Sequence, residues 1–424
     1  MRACSDRVSL EGLLDGIRAA AALPLGRAVA LPAAVYTSPE FLEWECKHLL
    51  AAGWICLGHA SQIPEPGDFL NTDLLGEPLI MVRGKDGRVR CLSRVCPHRA
   101  MDIMPPGFGH DGHGPGSARD GAPGCGHTRL FLCPYHSWTF DLDGRLKACP
   151  EMQQADGFAR DEWGLKEFPC EEWLGFVFVN LDGTATDTPS RRFASMEPDL
   201  ADWRPHEMEV VIAIEWDCAF NWKVLVENFM ESYHHLGAHA KTLQPVLPAR
   251  DTWTEEERPH HVRAHLPLRA SAVEALRDQG PSEGFPVLPS LPARKAAEWA
   301  LFLGYPNFLA FGGPDRLIWY RLDPTGPQTS RLLTTVMIPS SYRSLPDIAE
   351  RIEAAEVALR TFHLEDMEMC IGVQRGINTR GWQTGRLSHL EMPIWLFQRY
   401  LAARIDGTWP AMNGKGAPSQ RPGP

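Results

Sequence analysis

The chain has 424 residues, of which 44% are hydrophobic and 22% charged, a balance typical of globular proteins with enough apolar material for a core. The formal net charge of −11 argues against nucleic-acid binding, because an acidic surface repels phosphates. The eleven cysteines are too sparse for a disulfide scaffold, and several lie beside histidines, which favours metal binding. No apolar run approaches the roughly 18 residues of a membrane span. We therefore expect a cytoplasmic protein without membrane segments.

The predicted elements of the first 140 residues are short. Residues 1–40 predict an amphipathic helix, an irregular lead and the start of a second helix at Ser38-Pro39. From residue 54 to 140, brief apolar runs are separated by turns such as Pro66-Gly67-Asp68, which is typical of an antiparallel β domain with hairpins. The 34 residues between His98 and Cys133 are rich in glycine and predict a long surface loop.

The C-terminal part of the chain predicts longer elements. Strands are expected near residues 175–180, 208–218, 315–322 and 331–338. Helices are expected over residues 222–236, 346–376 and 387–404. The tail from residue 407 is rich in Gly, Pro and Ser and predicts disorder.

Two cysteine–histidine pairs flank the predicted loop. Cys96-Pro97-His98 and Cys133-Pro134-Tyr135-His136 form a C-x-H and a C-x-x-H motif. Two thiolates and two imidazoles can hold a Rieske [2Fe–2S] cluster, with both cysteines on one iron and both histidines on the other. A structural zinc site is the alternative, but zinc pairs usually join Cys to Cys and His to His at wider spacings. The motifs therefore favour the cluster.

The predicted loop contains a third such pair, Cys125-Gly126-His127. Only five residues separate it from Cys133, too few to build two opposed cluster loops. We interpret this pair as part of an insertion, and His110, His113 and His127 as solvated loop residues.

A second constellation lies on the helix predicted over residues 222–236. At about 100° per residue, Glu227, Glu231 and His234 fall on one face of such a helix. His235 points to another face, so we do not expect it to bind a metal.

His239 cannot join this face if the helix continues, but Gly237 offers a helix end after which the chain can turn back. Two imidazoles need one carboxylate to form the facial triad typical of mononuclear Fe(II). The best source is the later helix, where periodicity does not choose among three acids: Glu365, Asp366 and Glu368.

These motifs together resemble the α subunits of ring-hydroxylating Rieske non-heme iron oxygenases. The cysteine–histidine pairs resemble the Rieske motifs of that family, and residues 221–239 resemble its iron motif. Glu365-Asp366 with Gln374-Arg375-Gly376 resembles its C-terminal signature. The resemblance implies an α+β fold, with an antiparallel-β Rieske domain and a helix-grip (START-like) catalytic domain that has an antiparallel sheet and long C-terminal helices.

The resemblance also implies domain boundaries. The N-terminal segment, residues 1–40, would pack on the catalytic domain, and the Rieske domain would span residues 41–156 with an insertion at about 100–130. The catalytic domain would span residues 157–406 and precede a disordered tail, residues 407–424.

By the same resemblance, particular residues take particular roles. The cluster ligands would be Cys96, His98, Cys133 and His136. The mononuclear iron ligands would be His234, His239 and Asp366, with Asp366 chosen over its neighbours on this ground alone. Glu231 matches the acid that bridges the cluster of one subunit to the iron of the next, although many members have Asp there. Asn228 matches a residue close to the iron.

The implied activity is that of a terminal oxygenase component that uses O2 and a small-molecule substrate. Its cofactors would be a Rieske [2Fe–2S] cluster and a mononuclear Fe(II). NAD(P)H would contribute only indirectly, through a reductase or ferredoxin partner. The resemblance further implies a homotrimer and leaves a β subunit open.

Substrate and reaction are less specified than the metal sites. Family members hydroxylate arenes or demethylate by hydroxylating a methyl group on nitrogen or oxygen. The spacing around Glu231 and His234 is somewhat closer to the branch that acts on quaternary ammonium compounds. The alternatives are a monooxygenase of such compounds and a Rieske electron-transfer protein without oxygenase activity. A carrier would not need His234, His239 or the long C-terminal half around them.

Overall fold

The computed structural model describes residues 9–104, 124–278 and 284–409. The chain forms two compact units: one comprises Met1–Leu50 with Arg192–Pro424, and the other comprises Ala51–Arg191. The domain boundaries given above stay predictions. Within the described residues, no helix is long and apolar enough to cross a membrane.

The described part of the smaller unit is built from three antiparallel sheets. Its five-stranded sheet has the order β5-β2-β3-β4-β9, and two three-stranded sheets have the orders β1-β11-β10 and β6-β7-β8. The strands are β1 Ile55–His59, β2 Asp68–Leu74, β3 Glu77–Arg83, β4 Val89–Ser93, β5 Cys125–His127, β6 Phe131–Leu132, β7 Thr139–Phe140, β8 Leu146–Ala148, β9 Glu167–Phe168, β10 Cys170–Trp173 and β11 Phe176–Val179. The antiparallel β domain predicted from the sequence is confirmed.

The prediction of a long loop between His98 and Cys133 is wrong at the C-terminal end of that loop. Cys125–His127 forms β5, which pairs antiparallel with β2 at the sheet edge. The Nδ1 of His127 lies 2.9 Å from Oδ1 of buried Asp68, so this histidine is held against the sheet although its side chain is about half exposed. A three-residue strand that pairs with a distant partner leaves no periodic signal in sequence. His110 and His113 lie outside the described residues.

The larger unit contains a seven-stranded antiparallel sheet of order β12-β18-β17-β16-β15-β14-β13. Its strands are β12 Met208–Cys218, β13 Trp253–Thr254, β14 His261–Pro267, β15 Glu298–Gly304, β16 Phe308–Gly312, β17 Leu317–Gly326 and β18 Thr329–Pro339. The α-helices of the described residues are α1 Leu10–Ala21, α2 Pro39–Glu45, α3 Pro189–Arg192, α4 Glu197–Leu200, α5 Trp222–Met230, α6 Ala270–Asp278, α7 Ile348–Ile377 and α8 Met392–Ile405. This unit confirms the predicted antiparallel sheet with long C-terminal helices.

The helix predicted over residues 222–236 ends early. Helix α5 stops at Met230, because Glu231 adopts an extended conformation with φ −119° and ψ 160°. The Glu231 carboxylate accepts hydrogen bonds from the backbone N–H groups of Tyr233 and His234, where a separate 3₁₀ turn begins. Glu227, Glu231 and His234 therefore do not share a helix face, and that expectation was wrong.

Candidate functional site

The two cysteine–histidine motifs form loops with the same backbone conformation. The carbonyl of Cys96 accepts from the N–H of Ala100, and the carbonyl of Cys133 accepts from the N–H of Ser137, each at 3.0 Å. The N–H of Cys96 donates to Met101 and that of Cys133 donates to Trp138, each at 2.8 Å. Ala100 and Ser137 both adopt positive φ, at 55° and 59°. Two different spacings thus fold into equivalent loops.

The side chains of these loops converge. Cys96 and Cys133 are both buried, and burial together with the neighbouring Cys133 thiol raises the pKa of Cys96 to about 11. The rings of His98 and His136 lie 4.7 Å apart, centroid to centroid. His98 stacks on Trp138 at 4.8 Å, and its Nδ1 is buried without a hydrogen-bond partner. An unpartnered imidazole nitrogen beside two buried thiols fits a cluster with paired cysteine and histidine ligands.

Ala100→Val is expected to weaken the cluster loop, because a β-branched residue at positive φ is strongly disfavoured. Ala100 is exposed, so the added methyl groups should act through the backbone rather than through a clash. We expect a loss of about 1–3 kcal/mol in the free energy of unfolding and lower iron and sulfide content. Ala100→Gly, which tolerates positive φ, is the matched control and should retain the cluster. Equal cluster content in both variants would contradict this account of the loop.

A second group of ligand-type atoms lies in the larger unit. One ligand atom from each of His234, His239 and Asp366 lies within 4.8 Å of the other two. Asp366 Oδ1 is 2.9 Å from His239 Nε2 and 3.5 Å from His234 Nε2. Among the described residues, no other group of three or more His, Cys, Asp or Glu side chains has ligand atoms within 4.8 Å of one another. Two imidazoles and one carboxylate facing one point are the donor set of a mononuclear non-heme Fe(II) site.

Each histidine of this group is held by a carboxylate on its other nitrogen. Glu231 Oε1 lies 2.6 Å from Nδ1 of His234, and Glu365 Oε2 lies 2.7 Å from Nδ1 of His239. Thr242 Oγ1 donates to the same oxygen of Glu365 at 2.6 Å. Such partners fix the ring orientation and leave Nε2 free for a metal. Sequence periodicity left Glu365 as one of three candidate acids, and the structure gives it a distinct position beside His239.

Glu365→Ala is expected to weaken iron binding by about 10- to 100-fold, because an orienting partner of His239 is lost. Glu368→Ala is the matched control, since Glu368 lies on the same helix and is exposed. The measurement is iron retention during titration with a chelator. An affinity in the Glu365 variant equal to that of the Glu368 variant would show that Glu365 does not support the site.

A mostly apolar cavity adjoins the three ligand-type residues. Its lining includes Asn228, Glu231, His235 and His363, together with Leu225, Phe229, Leu243, Leu266, Leu301, Phe311, Tyr320 and Phe362. His235 Nδ1 lies 3.0 Å from the carbonyl oxygen of Leu247, and His235 is not part of the three-residue group. The position of His363 in this lining leaves no signal in the sequence, because a histidine inside an amphipathic helix carries no distinctive pattern.

The sequence matches two protein-family models. A model described as a Rieske [2Fe-2S] domain matches residues 53–169, and a model described as the ring hydroxylating alpha subunit (catalytic domain) matches residues 205–407. The chain belongs to the Rieske non-heme iron oxygenases. This membership means that it carries a Rieske [2Fe–2S] cluster and a mononuclear iron. The two groups of residues described above offer the types of donor atom that these two centres need.

Curated relatives of this Rieske oxygenase act on different substrates. It is 31% identical to the carnitine monooxygenase oxygenase subunit of Acinetobacter pittii, over 49% of this chain and 52% of that relative. It is 29% identical to the biphenyl 2,3-dioxygenase subunit alpha of Rhodococcus jostii, over 50% of this chain and 44% of that one. Choline monooxygenase of Arabidopsis thaliana is 23% identical over 88% of this chain and 82% of its own length. The chain thus spans about half the length of the first two of these relatives.

Solved structures share its fold. A quaternary ammonium Rieske monooxygenase superposes with a TM-score of 0.76 at 24% identity, covering 92% of this chain and 98% of that chain. Naphthalene 1,2-dioxygenase from Rhodococcus sp. superposes with a TM-score of 0.73 at 17% identity, covering 96% and 100%. The fold prediction is confirmed, and at these identities the likeness concerns the fold alone.

Proposed function

We propose that this protein is a terminal oxygenase component that inserts oxygen from O2 into a small substrate. The observation that carries the proposal is the facing group of His234, His239 and Asp366 beside an apolar cavity. A Rieske electron carrier would have no use for such a group, so this second centre favours an oxygenase over the electron-transfer alternative. The family also contains the monooxygenases and dioxygenases that this chain resembles.

The proposal assigns ligands by chemistry and position. Cys96, Cys133, His98 and His136 would hold the cluster, and His234, His239 and Asp366 would hold the iron. When bound, the iron supplies O2 activation and the cluster supplies electrons. Glu231 and Glu365 keep the two imidazoles in one orientation, and the apolar lining excludes water from the cavity.

Two residues would act without binding the iron. Asn228 lines the cavity beside the iron group, which supports a role close to the substrate or to the metal. The Glu231 carboxylate accepts a hydrogen bond from His234. In the proposed bridge, the same carboxylate would also accept a hydrogen bond from a cluster histidine of a neighbouring subunit. Glu231→Gln should keep both metals yet sharply slow oxygenation, and full turnover would contradict the bridging role.

The cavity favours a substrate with a compact apolar or aromatic body. Phenylalanine and tyrosine rings from Phe229, Phe311, Tyr320 and Phe362 line it, and none of the lining residues that the structure describes is Arg or Lys. Aromatic rings accommodate either an arene or a methylammonium group. A substrate with a carboxylate would find no cationic partner among the lining residues. Hydroxylation of an aromatic compound and oxidative demethylation of a small substrate, such as a quaternary ammonium compound, both remain within the proposal.

The partners belong to the proposal as well. Electrons would come from a reductase or ferredoxin, with NAD(P)H acting only through that partner. We also propose a homotrimer located in the cytoplasm, and the presence of a β subunit is left open. The acidic net charge gives no support for a nucleic-acid partner.

The test is coupled O2 uptake by the reduced protein with a panel of aromatic compounds and methylammonium compounds. The proposal predicts O2 consumption that matches product formation for at least one class. The His239→Ala variant, which removes an iron ligand, should consume no O2 in a substrate-dependent way. If the unaltered, iron-loaded protein produced no oxygenated or demethylated product across the panel, the electron-carrier alternative would be favoured.

A further inference from the structure

His363 is a buried histidine that the proposed iron chemistry does not use. It lies on α7, three residues before Asp366, and none of its surface is exposed. Its ring lies 4.7 Å from that of Trp216 and 5.7 Å from that of Tyr320, centroid to centroid. Both ring nitrogens are buried and have no hydrogen-bond partner.

This arrangement is costly to the folded protein. A buried polar group without a partner destabilises the folded protein, and native structures contain few of them. Phenylalanine would fill the same space between two aromatic rings without this cost. A histidine at this position therefore indicates a hydrogen-bond partner that a bound molecule supplies.

The position of His363 indicates what that partner is. His363 lines the same cavity as Asp366, His234 and His239, so its ring borders the space that a bound molecule would occupy. It is not a member of the iron-binding group, which leaves its nitrogens available. Burial lowers the pKa of His363 to about 4, with Asp366 opposing the shift, so the ring is neutral near pH 7. A neutral imidazole offers one hydrogen-bond donor and one acceptor.

We propose that His363 is a substrate-binding residue that recognises a neutral hydroxyl or carbonyl group on the substrate. The inference rests on the proposed function, because it assigns the substrate to the cavity beside the iron group. A hydroxyl group can donate to the unprotonated ring nitrogen or accept from the N–H, and a carbonyl group can accept from the N–H. The apolar remainder of the cavity would hold the body of the substrate, so that this one polar contact sets its orientation.

A hydrogen bond to His363 restricts the class of substrate more narrowly than the aromatic lining of the cavity does. An arene or a methylammonium compound that carries a hydroxyl or carbonyl group should bind better than its analogue without one. A site built to hydrogen-bond a substrate group disfavours the analogue that lacks it, because the buried polar atoms stay unpaired.

Binding of matched probe pairs to the reduced, iron-loaded protein tests the inference. One pair is benzyl alcohol with toluene, and the other is choline with ethyltrimethylammonium. Binding is followed by the change that each probe causes in the electron paramagnetic resonance signal of the nitric oxide adduct of the mononuclear iron. For at least one pair, we expect the hydroxyl-bearing member to bind about tenfold more tightly.

Variants at this position separate hydrogen bonding from shape. His363→Phe keeps a ring of similar size and should abolish the preference, while it raises affinity for the analogue without a hydroxyl. His363→Asn keeps a donor and an acceptor and should restore part of the preference. Leu364→Ala is the matched control, because Leu364 is exposed on the same helix and should behave as the unaltered protein. If His363→Phe does not retain both metals, His363→Leu takes its place.

The outcomes of this experiment are distinct from those of the oxygenase test. A hydroxyl preference that survives in His363→Phe, or no preference in the unaltered protein, would overturn the role of His363. A preference that His363→Phe abolishes, without O2 uptake by any probe, would sustain the role and contradict the oxygenase activity. O2 uptake without any preference for the hydroxyl-bearing probe would support the oxygenase activity and overturn the role of His363.

Discussion

Asp366→Ala should remove the mononuclear iron and leave the Rieske cluster in place. The iron content should fall from about three to about two atoms per chain, since a Rieske cluster holds two and the second centre one. Asp366 Oδ1 faces both His239 Nε2 at 2.9 Å and His234 Nε2 at 3.5 Å, so its loss removes the only carboxylate of the three-residue group. The loss of affinity should exceed the roughly 100-fold expected when an orienting partner is removed.

The measurement for Asp366→Ala is iron and sulfide content together with substrate-dependent O2 uptake. Sulfide and the optical spectrum of the cluster should not change, whereas O2 uptake should fall to background. Glu368→Ala, at an exposed position two residues further along α7, is the control and should retain both metals. If Asp366→Ala retained three irons per chain and its O2 uptake, the assignment of this carboxylate would be wrong.

Lys223→Met should strongly destabilise the folded protein. The ammonium of Lys223 lies 2.8 and 2.9 Å from the two carboxylate oxygens of Glu45, and both side chains are fully buried. Breaking a buried pair by removing one partner leaves an uncompensated charge and costs about 3–5 kcal/mol in the free energy of unfolding. The pair links α2 to α5, the helix that ends just before Glu231, so the site should loosen as well.

The destabilisation should depend on pH in a defined direction. Burial raises the pKa of Glu45 above its ordinary value of 4.5, and Lys223 acts in the opposite direction by lowering that pKa. Lys223→Met removes the lowering effect, so the pKa of Glu45 should be higher in the variant. A carboxyl group with a raised folded-state pKa binds more protons when folded, so its stabilising contribution is present at low pH and is lost as the pH rises. The deficit of Lys223→Met should therefore be small below pH 4.5 and should grow as the pH rises above that value.

Chemical denaturation across pH measures this effect. The double variant Lys223→Met with Glu45→Gln should recover much of the lost stability near pH 7, because no unpaired charge remains. Arg360→Met is a control, since Arg360 forms an exposed pair with Glu356 that should contribute at most about 1 kcal/mol. A double variant as unstable as Lys223→Met alone would show that the buried charge is not the cause.

The long regular elements were predictable from the sequence because each follows one periodicity over many residues. The strand expected over residues 208–218 is β12, with the same bounds, and the helix expected over residues 346–376 is α7, Ile348–Ile377. In α7 the buried residues recur every three or four positions from Ala355 to Ile377, and in β12 the buried residues Ile212, Ile214 and Cys218 lie on one face.

The end of α5 was not predictable by the same means. Periodicity continues through Glu231 and His234, but the Glu231 carboxylate binds two backbone N–H groups and starts a new turn. Competition of a side chain with the helix backbone depends on local geometry rather than on apolar spacing. The early end takes His234 off the helix and brings it beside His239, with 5.0 Å between their ring centroids.

The choice among the acids of α7 shows a similar limit. Glu365 and Asp366 are adjacent in sequence, yet one contacts Nδ1 and the other Nε2 of the same His239 ring. Successive helical residues diverge by about 100°, so adjacent acids can contact opposite edges of one ring. Periodicity alone could not select either, and the resemblance to the family selected only Asp366.

The central claim is that one chain holds two iron centres of different type, and a single preparation can test it. The anaerobically reconstituted protein should contain about three irons and two sulfides per chain, and nitric oxide should produce a signal from one Fe(II) that is lost in His239→Ala. About two irons per chain, with no nitric oxide signal in the unaltered protein, would contradict the account.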